Sequence, residues 1–161
     1  AVVAFGASSG EDEPLDWDLT VARVEGYREG LGAAWDASLL HASPGTLPAA
    51  ARPLLAELLA TEEPPTALLA MSDAIAAELL LEAAARGIDV PGQLSVIGFD
   101  DVPLAALTDP PLTTVRQPTD EKGRLAARTL LDALEGDGLP EPTRTLLPTE
   151  LVVRASTAPP P

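Results

Sequence analysis

Residues 94–118 read LSVIGFDDVPLAALTDPPLTTVRQP, and the rest of the chain is organised around this stretch. Its first part, Leu94–Phe99, is short, apolar and β-branched, which predicts a buried strand. Two adjacent acids, Asp100 and Asp101, stand where that strand would end. A loop punctuated by prolines follows, and a second extended run is predicted from Leu112 to Gln117. Ligands bind at the carboxyl ends of strands in open α/β sheets, so this junction is the best candidate site in the chain.

Strands and helices are predicted to alternate along the whole chain. Strands are predicted at 1–5, 37–42, 66–71 and 94–99, with a final extended segment at 145–154, and helices at 19–34, 47–60, 73–86 and 119–134. Gly87 is predicted to end the third helix in a left-handed conformation, and Pro53 to kink the second helix or delay its start. Four strand–helix alternations imply right-handed crossovers, and therefore an α/β fold in which helices cover both faces of a parallel sheet.

Polar residues follow each of the four predicted strands. Ser8 follows the first strand, Ser43 the second, Ser72 the third and Asp100 the fourth. In a parallel sheet these strand ends share one edge, so the four side chains would line a cleft. Carboxylates accept pairs of hydroxyl hydrogens, and arginine donates hydrogen bonds in a fixed fork. The pattern predicts a binding site for a small molecule rich in hydroxyl groups.

Composition restricts the classes of function. The 161 residues suffice for one domain with a sizeable core, and 46% of them are hydrophobic. The absence of cysteine leaves neither disulfides nor thiolate metal sites and suits a reducing compartment. The formal net charge of −15 would repel DNA, because the ten basic residues are scattered along the chain. We expect no metal, no cofactor and no membrane span.

Several linked motifs occur in the order and register of one known family. They are Val96–Asp101, Asp109–Val115 and Gln117-Pro118 in the central stretch, Ala70–Asp73 before it, and Leu147–Arg154 with Ser156-Thr157 after it. Together they resemble the effector-binding core of the lactose/galactose-repressor (LacI/GalR) family of bacterial transcriptional regulators. The resemblance covers nearly the whole chain and implies that the chain corresponds to the second half of such a regulator.

The resemblance implies one lobe of a type I periplasmic-binding-protein-like fold, in which crossovers join two lobes. Residues 1–113 would form an effector-binding lobe, residues 114–144 a crossover and a helix packed on the other lobe, and residues 145–161 a returning strand and tail. It further implies a cytoplasmic homodimer that senses a small-molecule effector, a carbohydrate, without catalysis. Such a regulator meets DNA only through an N-terminal headpiece that this chain lacks.

The effector contacts of the family carry over to four positions, which are Arg23, Ser72, Asp100 and Gln117. Two other residues join them as ligand-binding candidates. Ser8 follows the first predicted strand, and Trp17 lies in a loop near the expected mouth of the cleft, where its ring could stack on a ligand. The aromatic contact of the family has no aromatic counterpart near Thr46.

Most of these candidates also have a purely structural interpretation. Ser72 or Asp73 could cap the helix that begins there, and Arg23 could be a solvated helix residue. Trp17 could cover core surface instead of a ligand. Of the two adjacent acids, Asp101 is expected to serve structure by holding backbone N–H groups of the loop.

Two apolar surfaces are expected to need a partner. In the helix at 119–134, Leu125, Leu130, Leu131 and Leu134 would lack the other lobe, so the chain is expected to self-associate, to exchange this helix or to leave it disordered. The family pairs its lobes as homodimers through surfaces that match Ala74, Ala77 and Leu81 together with residues 104–107. The alternative is that these residues face their own sheet.

Two other functions remain open at this stage. A solute-binding protein of a sugar transporter would share the same fold and cleft. A serine hydrolase is suggested by Gly6-Ala7-Ser8-Ser9-Gly10, which fits the nucleophile pattern G-x-S-x-G, with His41 as the only histidine and Asp16 or Asp18 as the acid. The acidic, proline-containing run that follows Ser8 is typical of a loop, whereas a nucleophile elbow requires a helix to start there.

Overall fold

The computed structural model describes residues 2–8, 18–44, 51–135 and 144–159. In chain order the elements are β1 (Val2–Ser8), α1 (Asp18–Leu31), β2 (Leu40–Pro44), α2 (Ala51–Leu59), β3 (Ala67–Ala70), α3 (Asp73–Ala85), β4 (Ser95–Asp100), β5 (Thr113–Arg116), α4 (Thr119–Glu135) and β6 (Glu150–Val152). Short 3₁₀ turns lie at Gly32–Ala34, Ala37–Leu39 and Pro103–Ala106. The predicted α/β class is confirmed.

The six strands form one sheet in the order β2-β1-β3-β4-β5-β6. The first five strands are parallel, as predicted, and β6 returns antiparallel to β5 at the edge of the sheet. The extended segment predicted at 145–154 is thus paired only at Glu150–Val152. An edge strand tolerates the nearby Pro148, because a proline in a central strand would remove a hydrogen bond from the ladder.

The strands β1 and β2 also differ from the prediction at their boundaries. β1 continues through Gly6 to Ser8, where a loop was predicted, because pairing with β2 continues at Gly6↔Ala42 and Ser8↔Pro44. β2 begins only at Leu40. The preceding residues form a 3₁₀ turn in which the Asp36 side chain accepts a hydrogen bond from the Ser38 backbone N–H over 2.8 Å.

The helix ends are explained by local chemistry where the structure describes them. Gly87 has φ +71°, which confirms the left-handed cap predicted after α3. Its backbone N–H donates to the carbonyl of Ala84, and that of Ile88 donates to the carbonyl of Ala83. Pro53 lies inside α2, and the predicted start of that helix at 47–50 lies outside the described residues.

The described core lies between one face of the sheet and the helices α2 and α3. Its members are almost entirely Leu, Ala and Val, which accords with an aromatic content of only 3%. The largest fully buried side chains include Leu55 of α2, Leu68 of β3, Leu79 of α3 and Val96 of β4. On β4, the residues facing this core alternate with residues facing away.

The second face of the sheet carries α1. Gly98 of β4 faces Asp73 of α3, so its neighbour Phe99 points to the opposite face. There the Arg23 guanidinium of α1 lies 3.9 Å from the centroid of the Phe99 ring. Helices therefore lie on both faces of the sheet, as predicted.

The C-terminal segment is inserted between the beginnings of β4 and β5. The buried Ser156 hydroxyl accepts from the Thr113 backbone N–H over 2.8 Å and donates to the Val96 carbonyl over 2.6 Å. The backbone N–H of Val96 in turn donates to the Ser156 carbonyl. These bonds join the beginnings of β4 and β5 through the C-terminal segment, at the end of the sheet opposite the carboxyl ends of the strands.

Candidate functional site

The carboxyl ends of β1, β3 and β4 lie at one edge of the sheet. The three strands are parallel neighbours, and Ser8 ends β1, Ser72 follows β3, and Asp100 ends β4. Gln117 follows β5, the next parallel strand, at the same edge. Ser43 lies opposite Ala7 near the end of β2, which is also parallel to β1. The predicted gathering of Ser8, Ser43, Ser72 and Asp100 along one edge is therefore confirmed at the level of the backbone.

Arg23 reaches this edge from α1. Its Nη1 donates to the carbonyl of Met71 over 2.8 Å, and its guanidinium lies over Phe99. Met71 directly precedes Ser72, and Phe99 directly precedes Asp100. The guanidinium is therefore held beside two of the predicted contacts, and within the described part of the chain Nη1 alone of its nitrogens donates a hydrogen bond.

Ser72 is the N-cap of α3, as its structural interpretation anticipated. Its Oγ accepts a hydrogen bond from the backbone N–H of Ile75 over 3.2 Å. A hydroxyl group has one hydrogen to donate besides its two acceptor positions, so this cap leaves the Ser72 hydrogen able to bond a ligand oxygen. Capping and ligand binding are thus compatible at this residue.

Asp73 lies behind the edge as a fully buried acid. Its carboxylate accepts from the Thr114 hydroxyl over 2.5 Å and from the Val102 backbone N–H over 2.8 Å. Burial raises the pKa of Asp73, and the hydrogen bonds from Thr114 and Val102 partly oppose that rise. The residue joins α3 to the loop after β4 and to β5, a role that differs from the predicted capping.

Asp100 and Gln117 form the central polar pair of the edge. The Gln117 Nε2 donates to Asp100 Oδ1 over 2.6 Å, and both side chains are half-buried. Asp100 has φ +117° and Asp101 has φ +58°, so the chain turns sharply at two consecutive non-glycine residues. Such conformations are sparsely populated for residues with a Cβ, and they cluster at functional sites.

Asp101 serves structure, as predicted, but through arginines rather than through backbone N–H groups. Its carboxylate accepts from Arg154 Nη2 over 2.6 Å and from Arg116 Nε over 2.7 Å. Burial acts to raise the pKa of Asp101, but the hydrogen bonds and charges of the two arginines outweigh it and lower that pKa below its usual value. Arg116 also pairs with Glu150 of β6 over 2.9 Å, so one acid links β4, β5 and the segment after β6.

An open depression of about 590 Å³ adjoins this cluster. It lies between the loop after β4 and the first turns of α4, and it is lined by residues that include Asp100, Gln117, Thr119, Asp120 and Arg124. Its walls supply carboxylate acceptors together with amide, hydroxyl and guanidinium donors. Groups of this kind bind the hydroxyl groups of a polyol by hydrogen bonds.

The strand register argues against the serine–histidine pair. The Cα of His41 lies opposite that of Phe5, three residues before Ser8. Three residues of a strand span about 10 Å, so the Cα atoms of these two positions are too far apart for a serine and a histidine there to share a hydrogen bond. Ser8 also ends a regular strand, and the loop with Asp16 lies outside the described residues.

Other predictions fall on residues that the structure does not describe. Trp17 and Thr46 lie outside the described ranges, and only the backbone of Ser8 is described. Three residues of the cluster were not predicted from the sequence in their observed roles, namely Phe99, Arg154 and the buried Asp73. Asp73 bonds to Val102, 29 residues away, and Arg154 bonds to Asp101, 53 residues away. No local pattern in the sequence encodes such pairs.

Within the described ranges, no helix has both the length and the apolar character needed to cross a lipid bilayer. The helix α4, although it exposes leucines, is amphipathic rather than apolar all round.

Comparison with known proteins gives a consistent result. The periplasmic binding protein-like domain family matches residues 11–157. The transcriptional repressor CytR of Escherichia coli (strain K12) is 37% identical over 147 residues, which cover 89% of this chain and 42% of that protein. The structure of the transcriptional regulator CelR in complex with cellobiose is 34% identical, with a TM-score of 0.82 over 96% of this chain and 46% of that one.

A second solved structure is similar to the same extent. A LacI family transcriptional regulator from Arthrobacter sp. FB24, in complex with lactose, is 32% identical, with a TM-score of 0.79 over 98% of this chain and 57% of that one. The chain spans less than half of the length of CytR and about half of the two solved structures. The relatives are transcriptional regulators rather than enzymes. From the family match and the shared fold, the chain belongs to the periplasmic binding protein-like domain family, in the form found in regulators of the LacI/GalR type.

Proposed function

We propose that this chain is part of the effector-sensing domain of a transcriptional regulator and that its effector is a carbohydrate. The observation that carries the proposal is the set of polar side chains at the carboxyl edge of the sheet, where Asp100 and Gln117 line an open depression. Ser72 and Arg23 lie along the same edge, Ser72 directly after β3 and Arg23 bonded to the carbonyl of Met71. Cellobiose and lactose, which occupy the two similar structures, are both rich in hydroxyl groups. Ser8 and Trp17 belong to the proposed contacts by their place in the sequence.

The same proposal assigns a structural role to each part of the chain. Residues 1–113 form an effector-binding lobe, residues 114–144 a crossover and the helix α4, and residues 145–161 a returning strand and tail. In the described part of α4 no residue is buried, and Leu130, Leu131 and Leu134 are 58%, 56% and 72% exposed. A second lobe packed on this helix would bury them. Movement between the two lobes would then change how a DNA-binding headpiece of the whole regulator, in the cytoplasm, meets its operator.

Arg23→Ala is expected to weaken carbohydrate binding by about ten-fold or more, because a hydrogen bond to a charged group contributes roughly 1.5–3 kcal/mol. Isothermal titration calorimetry with cellobiose and with lactose on the whole regulator measures this effect. Arg86→Ala is the matched control, since Arg86 ends α3 away from the carboxyl edge and pairs with Glu82 at the surface. Asp100→Asn, which keeps the shape and tolerates positive φ, is expected to weaken binding in the same way.

The proposal fails if the whole regulator binds neither these two disaccharides nor the monosaccharides glucose and galactose. Equal affinities for the Arg23→Ala and Arg86→Ala variants would show that the ligand sits elsewhere. A carbohydrate that binds without changing the affinity of the regulator for its operator would support binding but contradict the sensing role.

We further propose that two copies of the protein pair through the surface formed by α3 and the 3₁₀ turn after β4. Leu81 is 56% exposed, Leu104 is 43% exposed and Leu107 is 79% exposed, and Ala74 is exposed beside them. Two of the predicted residues, Ala77 and Ala105, are buried against their own fold and are no part of this surface. The exposed apolar residues form one patch, because α3 packs against the 3₁₀ turn.

Leu107→Glu is expected to weaken dimerisation at least ten-fold, because a charge at the centre of an apolar interface loses its hydration. Analytical ultracentrifugation of the whole regulator over a range of concentrations gives the dimer dissociation constant. Val153→Glu is the control, since Val153 is 68% exposed but belongs to the segment after the edge strand β6 and not to α3 or the 3₁₀ turn. A dimer of unchanged strength in the Leu107→Glu variant would contradict the proposed surface.

A further inference from the structure

The guanidinium of Arg23 is held by two partners that come from two different strands. Met71 follows β3 and accepts from Nη1 over 2.8 Å, and Phe99 lies near the end of β4 with its ring centroid 3.9 Å from Cζ. The hydrogen bond to Met71 fixes the rotation of the guanidinium within its own plane, and the contact with the Phe99 ring fixes the orientation of that plane. A long side chain anchored only at its Cα on a helix would otherwise sample several rotamers.

The Arg23 guanidinium lies over the face of the Phe99 ring, where it can be attracted to the ring. A cation within about 6 Å of an aromatic centroid is attracted to the face of the ring, and a planar guanidinium can stack on it. Phe99 and Arg23 are both half-buried, so water screens the attraction less than at a fully exposed site. No other cation–ring contact occurs among the described residues.

We infer that Phe99 is a positioning residue: its ring holds the guanidinium of Arg23 in one orientation at the carboxyl edge, and the hydroxyl groups of a carbohydrate are read by the arginine rather than by the ring. This inference rests on the proposed function for its ligand, but the arrangement of the two side chains exists without ligand. A rigid guanidinium loses less freedom when a ligand binds, which increases affinity without a new contact.

Nitrogen-15 relaxation of the Arg23 Nε in the ligand-free protein tests the arrangement directly. In the wild type the Arg23 side chain is expected to be rigid, and its δ protons are expected to be shifted upfield by the ring current of Phe99. In Phe99→Leu the order parameter should fall below about 0.6, the range of flexible groups, and the upfield shift should disappear. Phe99→Tyr keeps the ring face and should restore both properties. A mobile Arg23 in the wild type would overturn the inference without any variant.

Titration with cellobiose and lactose tests the consequence for binding. Phe99→Leu is expected to weaken affinity by about three- to ten-fold, the loss that corresponds to one partly buried cation–ring interaction, and Phe99→Tyr to leave it nearly unchanged. In an Arg23→Ala background, Phe99→Leu should have no further effect, because the ring then has no guanidinium to hold.

The outcomes separate the two proposals. A wild-type protein that binds no carbohydrate but shows a rigid Arg23 released by Phe99→Leu would overturn the proposed function and support the positioning role. Equal losses of affinity from Phe99→Leu in the wild-type and Arg23→Ala backgrounds would show that the ring contacts the carbohydrate itself, and that would overturn the inference.

Discussion

Gly98→Ala is expected to lower the free energy of unfolding by roughly 3 kcal/mol, the upper range of the cost of overfilling a packed interior. A Cβ at this position would collide with Asp73 Oδ1 and would lie 2.8 Å from Leu112 Cδ2 and 3.3 Å from the Cα of Asp73. The carboxylate of Asp73 cannot rotate away without breaking its bonds from Thr114 and Val102. The strand β4 would therefore have to move away from α3.

Urea unfolding followed by circular dichroism measures this loss. Gly123→Ala is the matched control, because Gly123 lies inside α4 and a Cβ there meets no atom within 4 Å. That change is expected to be neutral or to stabilise the helix by up to about 1 kcal/mol. If Gly98→Ala unfolds at the same urea concentration as the wild type and Gly123→Ala, then Gly98 of β4 does not pack closely against Asp73.

Asp101→Asn is expected to lower the free energy of unfolding by about 2 kcal/mol at pH 7. The acid is 8% exposed and holds two arginines, and the loss of one partner from a buried ion pair costs about 3–5 kcal/mol. We reduce that figure because Arg154 and Arg116 are 20% and 49% exposed, so water partly compensates them. Asparagine tolerates the positive φ of this position, which isolates the effect of the charge.

The pH dependence of this difference follows from the lowered pKa of Asp101. In the unfolded chain the carboxyl has its ordinary pKa of about 3.8, and in the folded protein its pKa is lower. The stability gained from the charge is therefore fully present above pH 3.8 and is lost as the pH falls through the folded pKa. Wild type and Asp101→Asn should differ at pH 7 and converge as the pH is lowered below 3.8.

Unfolding by denaturant at several pH values checks this convergence. Glu150→Gln is the control, because Glu150 is 67% exposed and pairs with Arg116 alone among the described residues, so its removal should cost less than about 1 kcal/mol. A constant difference between wild type and Asp101→Asn from pH 7 to pH 3 would show that the carboxylate charge is not what stabilises the network.

Much of the fold could be predicted from local patterns in the sequence. Short apolar runs mark β3 and β4, and Gly87 marks the end of α3, because these signals act over a few residues. The shared edge of Ser8, Ser72 and Asp100 followed from the parallel connections alone, since right-handed crossovers leave no other arrangement. That these residues contact a ligand stays a prediction.

The hydrogen bonds of Asp73, Asp101 and Arg154 that hold the carboxyl edge in place could not be predicted in the same way. Asp73 is separated from Thr114 by 41 residues, and Arg154 from Asp101 by 53. Only the packed sheet brings these residues together. In the sequence, Asp73 stands at the start of a helix and therefore resembles a helix cap. The length of β1 was underestimated for a related reason, because pairing with β2 overrides the turn preference of Gly6.

The backbone at Asp100 and Asp101 limits how this protein could be redesigned. Left-handed conformations favour Gly, Asn and Asp, and any other residue would add roughly 1–2 kcal/mol of strain at each of these positions. A combinatorial library that varies residue 100 would therefore lose folded members, whatever ligand it was selected for. Diversity is better introduced at Gln117, which has no positive φ, whereas replacement of Ser72 would cost the N-cap of α3.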